Sequence, residues 1–230
     1  MPDFAPTGKT ISIMQPYFMP YAGYFRLLAG ADLFVVYDCV QFPRRGWVHR
    51  NQLRLADGAT DWLTLPLEKA PRDARIYDLA FRPDASASLE AQIRRFPALA
   101  SPPPEARAMV GAMGDVRGTP VDYIVALLRL AATTMGLPWQ VARSSELSLP
   151  PGLRAQDRIL AIAKAHGATR YINPPGGRGL YDPAAFAAAG IELRFLTDHI
   201  GSYDSIAQRL ASETVADIAR EIRANTVWQA

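Results

Sequence analysis

The sequence predicts an α/β protein built around a parallel sheet that a long inserted segment splits in two. Three observations carry that reading. Two continuous apolar runs, TISIM at 10–14 and DLFVVYD at 32–38, flank a helically spaced stretch. Strand, helix and strand so close together form a βαβ unit, whose strands run parallel. The same alternation resumes after residue 139, and the segment between the two blocks has a different style, with a hairpin signal and proline-broken helices.

Taken in order, TISIM reads as a buried strand because it is short, apolar and β-branched. In YAGYFRLLAGA (21–31) the large side chains Tyr21, Tyr24, Phe25 and Leu28 recur at helical spacing. DLFVVYD is the second strand. QLRLADGATDWLTLPL (52–67) sets two strand-like runs around Asp57-Gly58, a tight-turn dipeptide. RIYDLAF (75–81) reads as a candidate strand, and helices follow at 85–96 and 104–114, broken at Pro102–Pro104. VDYIVALLRLAATTMG (121–136) is a helix closed by Gly136.

The α/β rhythm then returns: strand WQVAR (139–143), a helix at 154–167, strand TRYIN (169–173), a short helix at 182–190 opened by Pro183, and strand IELRFL (191–196). The last helix spans 212–225, with Ser212 and Glu213 in its N-terminal turn. Residues 1–230 read as one α/β domain with an insertion at about 52–120 that forms a subdomain or lid.

Composition narrows the function classes. At 49% hydrophobic and 20% charged the chain is ordinary for a globular protein, and no apolar run reaches the roughly eighteen residues of a membrane span. MPDFAPTGKT, the first ten residues, lacks the apolar centre of a secretory leader. With a single cysteine, Cys39, the expected compartment is the reducing cytoplasm. A net charge of +3 is too balanced for a nucleic-acid binder. The densest basic cluster, RRGWVHR at 44–50, suits one phosphate-bearing small molecule. There is no HxxxH, HExxH or cysteine pair, so no metal site is expected, and no GxSxG elbow.

In an open parallel sheet, ligands bind beyond the carboxyl ends of the strands where their order reverses. Three such ends carry unusual residues. After the first strand come Gln15, Tyr17, Tyr21 and Tyr24, among Pro16, Pro20 and Gly23. After the second come Asp38, Gln41, Arg44, Arg45, Trp47, His49 and Asn51; after TRYIN come Asn173, Gly176, Gly177 and Tyr181. Tyrosines fit poorly in a dry core because a buried hydroxyl needs a partner, whereas Phe18 and Phe25 read as core.

Arg44 and Arg45 beside Gly46 and Trp47 suit a phosphate together with a stacked ring. His49 is a candidate general base with Asp38 to orient it, and His199 is a second candidate. His166 ends a helix, where it complements the dipole. Cys39 reads as a small half-buried residue. PPGGRG is similar to a backbone-amide anion cradle, without the lysine and spacing of a phosphate-binding loop.

Together, ISIMQPYFMPYAGYF, FVVYDCVQFPRRGWVHRNQL, RSSEL and RYINPPGGRGLYD resemble the WbqC-like protein family, from residue 11 to about 203. The resemblance implies a place among O-antigen, other surface-polysaccharide or amino-sugar pathways. It implies a transferase that attaches an acyl or aminoacyl group to the amine of a nucleotide-linked sugar. The implied partners are a nucleotide sugar and a carrier protein. The implied donor is a carrier-protein thioester, a coenzyme A thioester or an aminoacyl adenylate. Many members carry a second aspartate where this chain has Cys39.

A more distant likeness is to nucleotidyltransferases and pantothenate-synthetase-like enzymes, in which proline after a strand precedes H-x-G-H. Here Pro20 precedes Tyr21-Ala22-Gly23-Tyr24. That likeness implies a Rossmann-like sheet of the nucleotidyltransferase type. It leaves two alternatives: a divergent nucleotidyltransferase, or a non-catalytic module that binds a nucleotide sugar or a carrier protein. Tyrosine cannot bring the positive charge that those imidazoles offer a triphosphate. The transferase expectation assigns Arg44 and Arg45 to the diphosphate and Trp47 or Tyr17 to stacking on base or sugar. It gives the Gly176 and Gly177 amides to an oxyanion, and His49, oriented by Asp38, to the amine proton. Tyr21 and Tyr24 hydrogen-bond a sugar, phosphate or carbonyl.

Overall fold

The computed structural model describes residues 8–229. Residues 1–7 of the stretch read above for a leader lie outside them. The β-branched and apolar runs form the strands of one sheet: β1 (Thr10–Met14), β2 (Leu33–Val36), β5 (Val141–Arg143), β6 (Arg170–Asn173), β7 (Glu192–Leu196) and β8 (Trp228–Gln229). Their spatial order is β5-β2-β1-β6-β7-β8, parallel throughout except that β8 runs against β7. Counted along the chain, the five parallel strands stand in the order 3-2-1-4-5, so the order reverses between β1 and β6. β3 (Arg50–Arg54) and β4 (Thr60–Thr64) form a separate antiparallel hairpin, turned at Gly58 with φ +82°, a conformation that favours glycine.

Nine helices surround the strands among the described residues: α1 (Ala22–Ala29), α2 (Ala85–Ile93), α3 (Pro97–Ala100), α4 (Arg107–Gly114), α5 (Pro120–Thr134), α6 (Ala155–Ala165), α7 (Pro183–Ala188), α8 (Ile206–Ser212) and α9 (Val215–Ala224). Alternate strand residues face opposite layers. Ile11, Ile13, Val35 and Tyr171 meet Ile159 and Ile162 of α6 and Phe186 of α7. Phe34, Val36 and Ile172 lie in a larger core with α1, α5 and α9. The inserted segment shares that core through Leu53, Leu63, Ile76, Leu89 and Met113. Among the described residues no helix is long and apolar enough to cross a membrane.

Several elements differ from the sequence expectation. Residues 75–81 hold a single 3-10 turn at Ile76–Asp78 instead of a strand. The Asp78 carboxylate accepts from the Arg75 amide at 2.9 Å, and this local bond closes the turn. The final helix starts at Val215 with Thr214 as its cap, because Ser212 already ends α8. With seven residues, α8 is too short to announce itself by periodicity. The predicted helix at 104–114 is a 3-10 turn at Pro104–Ala106 followed by α4.

Candidate functional site

A cavity of about 350 Å³ opens at the carboxyl ends of β1 and β6, where the strand order reverses. Segments following four parallel strands build it. From β1 onward come Met14, Tyr17, Pro20, Tyr21, Gly23, Tyr24 and Leu27. Trp47 and Asn51 follow β2, Pro174 follows β6, and Tyr203 follows β7. None of these wall residues is charged. Its size and apolar lining fall in the range of small-molecule sites, about 300–1,000 Å³.

The loop between β1 and α1 is held in shape from outside. Met19 has φ +46°, left-handed for a non-glycine residue, a strain of about 1–3 kcal/mol that persists only where the surroundings enforce it. The enforcement is visible. Asn51 Nδ2 donates to the carbonyls of Phe18 (3.1 Å) and Met19 (2.5 Å), and Ser205 Oγ donates to that of Met19 at 2.7 Å. The Phe18 amide donates to Trp47 O at 2.9 Å, and the Ile206 amide to Pro20 O at 2.8 Å. An Arg54–Asp204 ion pair at 3.0 Å ties the hairpin to the segment before α8.

Within this frame the aromatic rings are ordered. Tyr21 stacks on Tyr203 with centroids 5.0 Å apart, and His199 stands edge-on to both at 5.1 Å. A Cβ on residue 23 would lie 2.2 Å from Tyr21 Cε2, so only glycine lets that ring cross the start of α1. Tyr24 is buried and donates to Gln15 O at 2.9 Å; Tyr17 lies 5.5 Å from it. The Tyr21 hydroxyl has no protein hydrogen-bond partner among the described residues. Burial raises the hydroxyls of Tyr17, Tyr21 and Tyr24 above the ordinary phenol value, Tyr24 well above it. All three stay protonated at neutral pH and offer hydrogen bonds, not charge. Trp47, 43% exposed, sits 5.5 Å from Trp62, which carries the Arg50 guanidinium 4.0 Å over its ring.

The wall thus brings together Tyr17, Tyr21, Tyr24, Trp47 and Asn51 of the residues singled out in the sequence. Gln15 contributes its carbonyl behind the wall. Arg44 and Arg45 are exposed on the loop that carries Trp47, with Arg44 Nη2 donating to Ala70 O at 2.7 Å. Gln41 Nε2 donates to Arg72 O at 2.7 Å. His49 lies off the wall, half-buried, with Phe42 edge-on at 5.0 Å and no partner for Nδ1 among the described residues. Burial and the neighbouring Arg50 hold its pKa down at about 4.

Asp38 is fully buried and saturated. Its carboxylate accepts from Arg143 Nε (2.8 Å), Ser144 Oγ (3.0 Å), Ser145 N (2.9 Å) and Ser145 Oγ (2.7 Å). No hydrogen bond joins Asp38 to His49 among the described residues, so the expected orienting pair is not formed; the turn after β5 takes the carboxylate instead. Asn173 and Tyr181 lie in the other layer, where Asn173 Nδ2 donates to Tyr171 Oη at 2.5 Å and the Tyr171 and Tyr181 hydroxyls are 3.2 Å apart. Gly177 packs on Asn173, and its amide donates to Pro174 O at 3.0 Å; Gly176 lies with it in a 3-10 run at Pro175–Leu180. Pro174, in the PPGGRG stretch, joins the wall, and Tyr203 joins it without having been singled out. The signal for Tyr203 was an aromatic residue in the Gly/Ser segment after the last parallel strand.

The WbqC-like protein family matches residues 15–218, which include every loop of the cavity. This chain belongs to that family. A relative from Mycobacterium tuberculosis (strain ATCC 25618 / H37Rv), described as "Uncharacterized protein Rv1507c", is 25% identical over 200 residues, covering 85% of each chain. No solved structure matches.

Proposed function

We propose that this WbqC-like protein binds a nucleotide-linked sugar in the aromatic cavity and modifies it as a transferase of surface-polysaccharide biosynthesis, by acyl or aminoacyl transfer to a sugar amine. The observation that carries the reading is the place and chemistry of the cavity: an uncharged, ring-lined hollow at the switch point of a parallel sheet. Such switch points are where doubly wound sheets bind nucleotides, and the 3-2-1-4-5 order supports a Rossmann-like assignment. Family membership supports the pathway. In this reading the free hydroxyl of Tyr21 bonds the ligand and Trp47 stacks on its ring. His49, uncharged at neutral pH, is the proposed acceptor of the amine proton. A carrier-protein or coenzyme A thioester is the proposed donor.

Thermal-shift measurements across a panel of nucleotide sugars test this directly, since a ligand of the folded state raises Tm by mass action. At least one nucleotide sugar is expected to raise Tm, and Tyr21→Ala with Tyr203→Ala is expected to weaken its binding about tenfold or more, from the loss of ring contacts. A panel without a single shift sinks the reading. The strand order also favours one rival, a divergent nucleotidyltransferase, which predicts pyrophosphate release from a nucleoside triphosphate with magnesium. The uncharged wall weighs against a triphosphate inside the cavity.

A further inference from the structure

The cavity wall bears no charge, yet the loop that brings Trp47 to it is basic, and a second basic strip lies beside that loop. The first is the loop of Arg44 and Arg45, which also carries Trp47 to the cavity mouth. The second, residues 68–75 of the inserted segment, is fastened along it. The Phe42 amide donates to Ala74 O (2.8 Å) and the Ile76 amide to Val40 O (2.9 Å), while the Gln41 and Arg44 side chains hold the carbonyls of Arg72 and Ala70. These bonds place Lys69, Arg72 and Arg75 beside Arg44 and Arg45. Residues 41–50 and 68–75 together hold six lysines and arginines against two carboxylates, Glu68 and Asp73. That surplus of four exceeds the +3 of the whole chain. Among the described residues, Arg44, Arg45, Lys69, Arg72 and Arg75 form no ion pair.

We propose that Arg44, Arg45, Lys69, Arg72 and Arg75 form a phosphate ledge, on which the diphosphate of a nucleoside diphosphate group rests while the uncharged ring attached to it enters the cavity past Trp47. The inference rests on the reading of the cavity as a nucleotide-sugar site and adds to it the residues of the second strip. Its physical basis is a division of labour. Desolvating a diphosphate against an uncharged wall is unfavourable, whereas exposed cations on strips whose main chains are fastened together offer it charge-assisted hydrogen bonds in water. Arg44 is the best organised of them, since its anchor on Ala70 O fixes the guanidinium over the second strip.

The test is a titration of UDP, TDP, GDP and ADP, each against its own nucleoside, into the full chain and into the Lys69→Ala/Arg72→Ala variant, at low and moderate salt. Both side chains are exposed and hold no partner among the described residues, so the variant keeps the fold. The ledge predicts that the double variant loses about tenfold in affinity for the preferred diphosphate at low salt, with a flatter salt dependence and unchanged affinity for the nucleoside. Unchanged diphosphate affinity in the variant, or an equal loss for the nucleoside, overturns the ledge and leaves the cavity reading standing. Failure of every diphosphate and nucleoside to bind the unaltered chain overturns both.

Discussion

At the end of β2 the carboxylate of Asp38 meets Arg143, Ser144 and Ser145 and is shut from solvent; at the ends of β1 and β6 the hydroxyl of Tyr21 meets no partner among the described residues beside an open hollow. Both are polar residues at the carboxyl edge of the same sheet. The difference lies in what the protein has left unmade. A buried polar group that already holds its full set of hydrogen bonds works for the fold, because any ligand would have to break bonds worth about 1.5–3 kcal/mol each for a charged group. A half-buried hydroxyl without a partner, among rings that face open space, has its bonding capacity free for something else.

The contrast predicts its largest effect at Asp38. Asp38→Ala leaves Arg143 facing only Asp122, and leaves the two serine hydroxyls without their buried acceptor. Removing one partner of a buried charged pair costs about 3–5 kcal/mol. For a chain of this length that lowers Tm by roughly 10 °C. Scanning calorimetry reads the change, and a Tm within a degree or two of the unaltered protein would break the comparison at its saturated end.

Asn51 sharpens the contrast because it belongs to both regions: it touches the cavity, but its side-chain amide is engaged by Phe18 O, Met19 O and the Gln52 amide. By the argument above, it serves the cavity by shaping it. Asn51→Ala removes the donor that helps hold Met19 in its left-handed conformation, at about 1–3 kcal/mol. The expected signature is a smaller fall in Tm than Asp38→Ala gives, with faster hydrogen exchange confined to residues 15–21. Faster exchange throughout, or none at all, would remove Asn51 from its shaping role.

These distinctions were only partly legible in the sequence. β1, α1 and β2 follow from continuous apolar runs and helical spacing, and the hairpin from Asp57-Gly58, because those signals are local. The same reasoning placed Tyr17, Tyr21, Tyr24, Trp47 and Asn51 near a strand-end site. It had no means to separate them from Asp38, whose saturating partners lie about 105 residues away along the chain. Tyr203, Lys69, Arg72 and Arg75 matter only through the tertiary contacts that carry distant segments to the rim. The strand expected at 75–81 failed for a local reason instead, because an aspartate side chain outcompeted the ladder for an amide.

His49 tests the boundary between the two states, since its Nδ1 is shut from solvent without a partner among the described residues while the ring as a whole is only half-buried. Burial first, and Arg50 second, hold the folded imidazole at about 4, against 6.5 for an unperturbed histidine. As pH falls through 6.5 the unfolded chain takes up this proton before the native one does, so the unfolded state binds more protons across the window from 6.5 to about 4. His49 therefore costs stability progressively as pH drops through that window, and contributes no pH dependence above it. The ring is only half-buried, so screening reduces the effect to on the order of 1 kcal/mol. His49→Gln removes the titrating group, and carboxylates common to both proteins cancel in the comparison. Between pH 7 and 4.5 the variant is expected to lose less stability than the unaltered chain, by a difference that grows as pH falls. Parallel melting curves across that range would mean that His49 reaches solvent freely, and would move it from the class shut from solvent to the open one.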